Sequence, residues 1–454
     1  MIFKKIKTKI IVRLKKITEN LPEPVSKLLV YIPFSWRLGK TYTKSQKKIN
    51  KFNLLNTKSQ KEIIYKKTKK IVTYAYKNNK FYNKFYNKNN FEIDKLKSFE
   101  DIKYIPIVTK SDLQKYALEV RSNEQPGRIK INSGGTSGKP LVFYVDNNSF
   151  AREWAHMHTI WKKLGYKKTD LKLTFRGKNL GSKSIKYNAV HNEYIVNTYK
   201  SLEEIKSDLL NILSKKNIKY IHGYPSEIYN FANFCLKNKS LVDKLKESLQ
   251  GIFFGSEYPP PIYRDLIEDV FEAPTISWYG HSEMAILAYE KSDKYIYEPM
   301  QTYGYCESVK DENGKFHLVG TSYYNTASPF IRYDTEDIIE PVLEDNGILK
   351  KFEIETGRIG NFISDKYENK ISLTALIFGR HHKIFEYVKF VQIYQDKPGK
   401  ATIIISLDKE QRINKSKIKE DMDLTNVDID FEIILRNDPI KTESGKVPLR
   451  IYNI

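Results

Sequence analysis

Hydrophobic positions fall into three regimes along this chain. Over residues 1–20, Ile2, Phe3, Ile6, Ile10, Leu14 and Ile17 recur mostly at three- and four-residue steps, with Lys4, Lys5, Lys7, Lys9, Arg13, Lys15 and Lys16 between them. That spacing predicts a basic amphipathic helix, which can lie on an anionic membrane surface or pack against the rest of the protein with its lysines in water. Leu21-Pro22-Glu23-Pro24 ends it, and a Lys-, Asn- and Tyr-rich stretch over 44–90 is again predicted helical. Between 128 and 360, short β-branched or aromatic runs (141–145, 171–175, 218–221, 251–254 and 275–278) alternate with helical patterns (149–163, 202–216, 225–238 and 260–271). Alternation of this kind predicts α/β layers with ligand sites in the loops at strand ends. Beyond about 360 the pattern restarts as strands 388–394 and 401–407, a helix near 409–421, a strand 429–435 and a polar tail, the outline of a smaller α+β domain. The expected organisation is a basic helical extension (1–60), a large α/β domain (61–359) and a small α+β domain (360–454).

Charge sharpens this division. Of 77 Lys and Arg against 54 Asp and Glu, residues 1–100 hold 26 basic and 6 acidic side chains, so nearly the whole excess of +23 belongs to one end of the chain. A nucleic-acid reader spreads its cations over a recognition surface, and no recognition module accompanies these, so no nucleic-acid partner is expected. The aromatic residues among the lysines at 74–86 are better explained by helix packing. Two cysteines, Cys235 and Cys306, with no CxxC pair argue against a disulfide framework or a cysteine zinc site. No run approaches the roughly 18 apolar residues of a membrane span. A cytoplasmic protein is expected, with peripheral contact at the inner membrane face through residues 1–20 as the one membrane option.

The densest chemistry lies in Ser133-Gly134-Gly135-Thr136-Ser137-Gly138-Lys139-Pro140. Three glycines allow backbone N–H groups to converge, while Ser133, Thr136 and Ser137 add hydroxyls and Lys139 a charge, an inventory suited to a polyphosphate. It is not a Walker A loop, because Ser133 and Pro140 stand where that motif needs Gly and Ser or Thr. Pro140 also bars a following helix, so the loop must return directly to a strand.

This segment resembles the phosphate loop of the adenylate-forming (acyl/aryl-CoA synthetase) superfamily, in the form used by the phenylacetate coenzyme A ligase family and its capsular-polysaccharide relatives. The resemblance continues in family order through Pro106-Ile107-Val108-Thr109-Lys110, His222-Gly223-Tyr224-Pro225-Ser226, Gly255-Ser256-Glu257, Tyr279-Gly280-His281-Ser282-Glu283, Arg332-Tyr333-Asp334-Thr335-Glu336-Asp337, Gly357-Arg358 and Lys441-Thr442-Glu443-Ser444-Gly445-Lys446. It implies a large multi-layer α/β domain with a small mobile α+β domain, and ATP-dependent activation of a carboxylic acid as an acyl adenylate. Transfer to a thiol such as coenzyme A, or to an amine, would follow. The acid is expected to be a small molecule or glycan-linked, in surface polysaccharide synthesis. By the resemblance, 133–139 bind phosphates, Glu283 holds Mg²⁺, and Tyr279, Gly280, Gly255, Ser256 and Glu257 line the nucleotide. Asp337 takes the ribose, Arg358 sits near the ribose and hinge, and Lys446 stabilises the adenylation step. Two departures stand out: Glu336 where the family keeps Gly, and Ile359-Gly360-Asn361 where paired Asp residues are usual. They leave room for a second reading, a non-catalytic basic adaptor on a decayed nucleotide fold. His156 with His158 and His381 with His382 lack ligand spacing, whereas His222 and His281 are candidates to line a pocket.

Overall fold

The computed structural model describes residues 31–133, 141–178, 180–354, 362–373, 376–377, 380, 382–388, 390–407, 413–440 and 449–452. The expected helix at 1–20, the loop residues Gly134 to Pro140, Arg358 and Lys446 lie outside them. The 44–90 stretch is helical as its pattern predicts, in α2 (Lys40–Asn53), α3 (Thr57–Asn78) and α4 (Lys80–Lys88), preceded by the short α1 (Phe34–Leu38). Asn56 and Asn79 set the starts of α3 and α4 by accepting the Ser59 and Tyr82 N–H groups. One face of α3, with Ile64, Thr68, Ile71, Val72 and Ala75, is buried with Phe81, Tyr82 and Tyr86 of α4, so these aromatics do serve packing. Helix α5 (Lys110–Gln114) is capped by Thr109: the Thr109 hydroxyl accepts the Asp112 N–H, and the Asp112 carboxylate accepts the Thr109 N–H in return.

Strands β1 (Ile129–Asn132) and β2 (Val142–Val145) form a hairpin around the Gly-rich loop, followed by α6 (Ser149–Trp161). The chain then alternates as expected: β3 (Lys172–Phe175), an antiparallel pair β4 (Ile185–Asn188) and β5 (Glu193–Val196), α7 (Leu202–Lys215), β6 (Tyr220–Gly223), α8 (Pro225–Leu236), α9 (Lys239–Lys246), β7 (Gly251–Phe254), α10 (Pro261–Phe271) and β8 (Thr275–Gly280). Ser201 and Glu204 form a capping box on α7, and proline opens α8 and α10, where no N–H is needed. Side chains on β6 and β7 alternate between two cores. Ile221, Ile252 and Phe254 pack with Ile205, Leu209 and Phe231 of the helices on one face, while Tyr220 and Phe253 pack with Ile160 and Trp161 of α6 on the other.

Past β8 the helical alternation expected up to residue 360 gives way to antiparallel strands: β9 (Leu287–Tyr289), β10 (Ile296–Pro299), β11 (Gly304–Lys310), β12 (Phe316–Ser322), β13 (Tyr333–Asp345) and β14 (Ile348–Ile354). Together with β3–β8 they form a sheet of twelve strands in the order β11-β12-β13-β14-β10-β9-β8-β7-β6-β3-β5-β4. One half, from β8 to β5, is parallel, and the other is a set of antiparallel ribbons that pack with α3 and α4. The hairpin β8–β9 joins the halves.

The C-terminal part has its own core, with Ile393, Ile403, Ile405, Ile418 and Ile433 among its members. After the hairpin β15 (Phe362–Ser364) and β16 (Lys370–Ser372), β17 (Phe390–Lys397), β18 (Lys400–Ser406), α11 (Lys415–Asp421), β19 (Asp430–Arg436) and β20 (Arg450–Ile451) make a four-stranded sheet ordered β19-β18-β17-β20. Arg380 meets the larger part by stacking on the Tyr199 ring at 3.8 Å.

Candidate functional site

Residues 281–286 form the loop between β8 and β9, where the sheet changes from parallel to antiparallel. His281 holds that loop in shape. Its Nε2 accepts the Ile286 N–H at 3.1 Å, which leaves the ring proton on Nδ1 to be donated to the Glu283 carboxylate at 3.0 Å. The other carboxylate oxygen accepts the Tyr333 hydroxyl at 3.2 Å. Glu283 is buried, and burial alone would raise its carboxyl. The hydrogen bond from His281, a backbone amide and the charge of Lys110 outweigh that and hold it well below the usual carboxylate range. The result is a buried but ionised carboxylate in a strand-end loop, where the α/β alternation places ligand sites.

Strand β13 supplies the second carboxylate. Opposite β12, Asp334 pairs with Val319 and Ile338 with His317, so the chain bulges outward over 335–337. The bulge turns Asp337 toward β8, where its Oδ2 accepts the Tyr279 hydroxyl at 2.6 Å. Glu336 lies within it at φ +63°, and its N–H is taken by Asp334 at 2.8 Å. A side chain therefore occupies the left-handed conformation that glycine adopts without penalty, and the turn survives the substitution with Glu336 exposed to solvent. Arg332, in the same motif, is a buried rivet: it pairs with both oxygens of Glu307 at 2.9 and 3.0 Å and donates to the Lys103 and Ile105 carbonyls.

Gly255-Ser256-Glu257 follows β7 directly. A Cβ on Gly255 would sit 2.3 Å from the Trp278 indole, so only glycine lets the chain pass. Ser256 turns back at φ +68°, and the buried Glu257 carboxylate accepts the Ser226 N–H at 3.3 Å, tying this turn to the 222–226 segment. His222 is buried between Trp161 and Trp278 and is held neutral by burial. At the Gly-rich loop, Ser133 has a structural task. Its N–H donates to the Leu141 carbonyl at 2.9 Å and its hydroxyl accepts the Leu141 N–H at 2.8 Å, closing the neck from which the chain returns straight into β2.

The structure thus brings Tyr279, Gly280, Glu283 and Asp337 together beside the carboxyl ends of β7 and β8. Sequence reasoning gave no role to Tyr333, His281's tautomer or Lys110, although all three lie in segments it singled out. Their signal was tertiary, a hydroxyl, a ring and an ammonium converging on one carboxylate. Among the described residues no group of three or more His, Cys, Asp or Glu side chains forms a metal cluster.

No family model matches the chain. Protein CapK of Staphylococcus aureus is 25% identical over 397 residues, 84% of this chain and 86% of that one. Among solved structures, 2-hydroxyisobutyryl-CoA ligase in the postadenylation state in complex with R3-HIB-AMP matches with a TM-score of 0.53 and 15% identity, over 88% of this chain and 90% of that one. An open conformation of that ligase in complex with 2-HIB-AMP and CoA matches with a TM-score of 0.52 and 16% identity, over 87% and 91%. The chain therefore has the fold of an adenylate-forming acyl-CoA ligase and is similar over most of its length to Protein CapK.

Proposed function

We propose that this protein is an ATP-dependent ligase that joins a carboxylic acid to AMP and then passes the acyl group to a thiol, with coenzyme A as one acceptor, or to an amine. The observation that carries this reading is that Glu283, bonded by Tyr333, and Asp337, bonded by Tyr279, both lie at the switch point of the sheet, within a fold shared with an enzyme captured with an acyl adenylate. In the first step an oxygen of the acid attacks the α-phosphorus, the bond to the β-phosphate breaks, and pyrophosphate leaves. In the second, the acceptor attacks the acyl carbon and AMP leaves. Residues 133–139 would hold the phosphates, and Gly255, Ser256, Glu257, Tyr279 and Gly280 the nucleotide. Asp337 would accept the ribose hydroxyls, with Arg358 nearby, and Lys446 would meet the charge that develops during adenylation.

Glu283 fits Mg²⁺. It is an oxygen ligand kept ionised in a buried place by neutral hydrogen-bond donors, and Mg²⁺ commonly takes one or two carboxylates together with substrate phosphates. The ion would neutralise triphosphate charge. The similarity to Protein CapK supports a surface-polysaccharide setting with a glycan-linked or glycan-destined acid, and residues 1–20 support contact with an anionic membrane. Among the described residues no helix is long and apolar enough to cross one.

The test is carboxylate-dependent ATP–pyrophosphate exchange across a library of acids, with the Mg·ATP-induced rise in melting temperature measured alongside. Exchange with at least one acid is expected. No exchange together with no thermal shift at millimolar ATP would overturn the assignment.

A further inference from the structure

Beside Met284, the residue after Glu283, lies a small cavity whose walls include Ser149, Arg152 and His156 of α6, Met284, Tyr303 and Tyr324. Its outer side is unusual in charge. The Tyr324 ring is approached by three cations from three helices: the Lys48 ammonium of α2 at 5.5 Å, the Lys67 ammonium of α3 at 5.6 Å and the Arg152 guanidinium of α6 at 4.9 Å from the ring centre. Lys67 also stands 4.7 Å over Tyr323. Arg152 is paired with Asp146, but among the described residues no carboxylate pairs with Lys48 or Lys67. An aromatic face can offset one desolvated cation by about 2 kcal/mol, yet it cannot neutralise three that repel one another. The imbalance registers in the groups themselves. Burial, with the charge of Lys48, pushes Lys67 down to about 8, and Lys48 is lowered by burial and by Arg152, Lys44 and Lys70. Three cations gathered around one ring, two of them without a carboxylate among the described residues, and a ring that itself walls a cavity bounded by the residue next to Glu283, make a site suited to an anion.

We propose that the acid activated by this protein carries a second anionic group, a carboxylate or a phosphate monoester, which is held by Lys48, Lys67 and Arg152 beside Tyr324 while the reacting carboxylate faces the Glu283 loop. This rests on the adenylation reading and narrows its substrate class from acids in general to acids with a charged far end. Geometry gives the division of labour. Met284 follows Glu283 directly in the chain, and Arg152 and Tyr324 belong both to the cavity wall and to the cation group. His156, on the same wall, does not add charge: its Nδ1 donates to the Arg152 carbonyl and its Nε2 accepts the Thr302 hydroxyl, which fixes the neutral ring.

The experiment is calorimetric titration of the full chain, saturated with Mg²⁺ and a non-hydrolysable ATP analogue to occupy the nucleotide's phosphate sites. Two matched pairs serve as probes, succinate against butyrate and 3-phosphoglycerate against glycerate, so that the carboxylate and phosphate sources are read separately. The charged-ended member of at least one pair should bind tenfold or more tightly than its partner, and Lys67→Gln or Lys48→Gln should each remove on the order of tenfold of that preference. Lys67→Arg should retain it. Lys67→Gln should also raise the melting temperature of the unliganded protein, because it relieves like-charge repulsion, whereas a lysine with a merely structural role would lower it. No preference in either pair, or a preference untouched in both Gln variants, overturns the proposal, and so does a fall in melting temperature on Lys67→Gln. Failure of the adenylation reading looks different: Mg·ATP would not shift the melting temperature of the unaltered protein.

Discussion

The loop around Glu283 and the cation group around Tyr324 each lend residues to the wall of one cavity and treat charge in opposite ways. At Glu283 each carboxylate oxygen has a neutral donor, so the negative charge is stable before anything binds. At Tyr324 two lysines, one exposed and one half-buried, have no carboxylate partner among the described residues, so the positive charge is left unbalanced until something arrives. A charge that the protein satisfies itself marks a preorganised participant, whereas a charge left in deficit marks what the ligand must bring.

The largest way to break this comparison is Glu283→Gln. The amide keeps the shape and can still accept from Tyr333, but removes the charge. Acid-dependent pyrophosphate exchange should fall on the order of 10²-fold and the Mg·ATP thermal shift should shrink, while the unliganded protein melts within a few degrees of the original. Exchange within twofold of the original would show that the charge is not used.

Acid separates the two sides next. His156 is pushed down to about 4, first by burial and then by the charges of Lys67 and Arg152, and His158 and His222 are lowered in the same direction. In the unfolded chain these rings take protons near pH 6.5, and in the fold they do not. The stability they confer is complete above pH 6.5 and is lost as pH falls toward 4, by about 3 kcal/mol for His156 alone. Urea unfolding at pH 7, 5.5 and 4.5 should show this decline, and His156→Gln should flatten part of it. Parallel profiles for the two proteins would refute the assignment.

The smallest effect is expected at Glu336. Changing it to Gly removes left-handed strain but adds freedom to the unfolded chain, so stability should change by less than about 1 kcal/mol with exchange activity intact. A large loss of activity would show that the Glu336 carboxylate takes part in the chemistry.

Much of the fold was legible because local signals agreed with tertiary ones. The α/β alternation of 149–280 carried turn residues, caps and apolar runs that all pointed to the same elements, and helix starts at Ser201, Pro225 and Pro261 were predictable from capping chemistry. The antiparallel half was read wrongly as a continuation of that alternation. Its strands carry many polar side chains on a half-exposed face. One hairpin signal does stand in the sequence, Asn346-Gly347, with both residues at positive φ between Asp345 and Ile348. At the candidate site, the motifs single out Glu283 and Asp337 without showing what holds them, because Tyr333 and Tyr279 reach them across 50 and 58 residues of chain. The cation group was less legible still. Lys48, Lys67 and Arg152 are unremarkable in a lysine-rich sequence and become a site only when α2, α3 and α6 place them around one ring.

Strand β13 carries Tyr333 and Asp337 four positions apart, with Val108 bridged to its start and β12 and β14 on its flanks. On the proposed assignment, one strand thereby sets the spacing between the groups that meet the metal and the ribose, whatever acid is bound. The acid's far end is met instead by Lys48, Lys67 and Arg152, side chains of three separate helices outside that ladder. Such a molecule is modular in an evolutionary sense: lineages could exchange Lys48, Lys67 or Arg152 and change diet without retuning the nucleotide machinery.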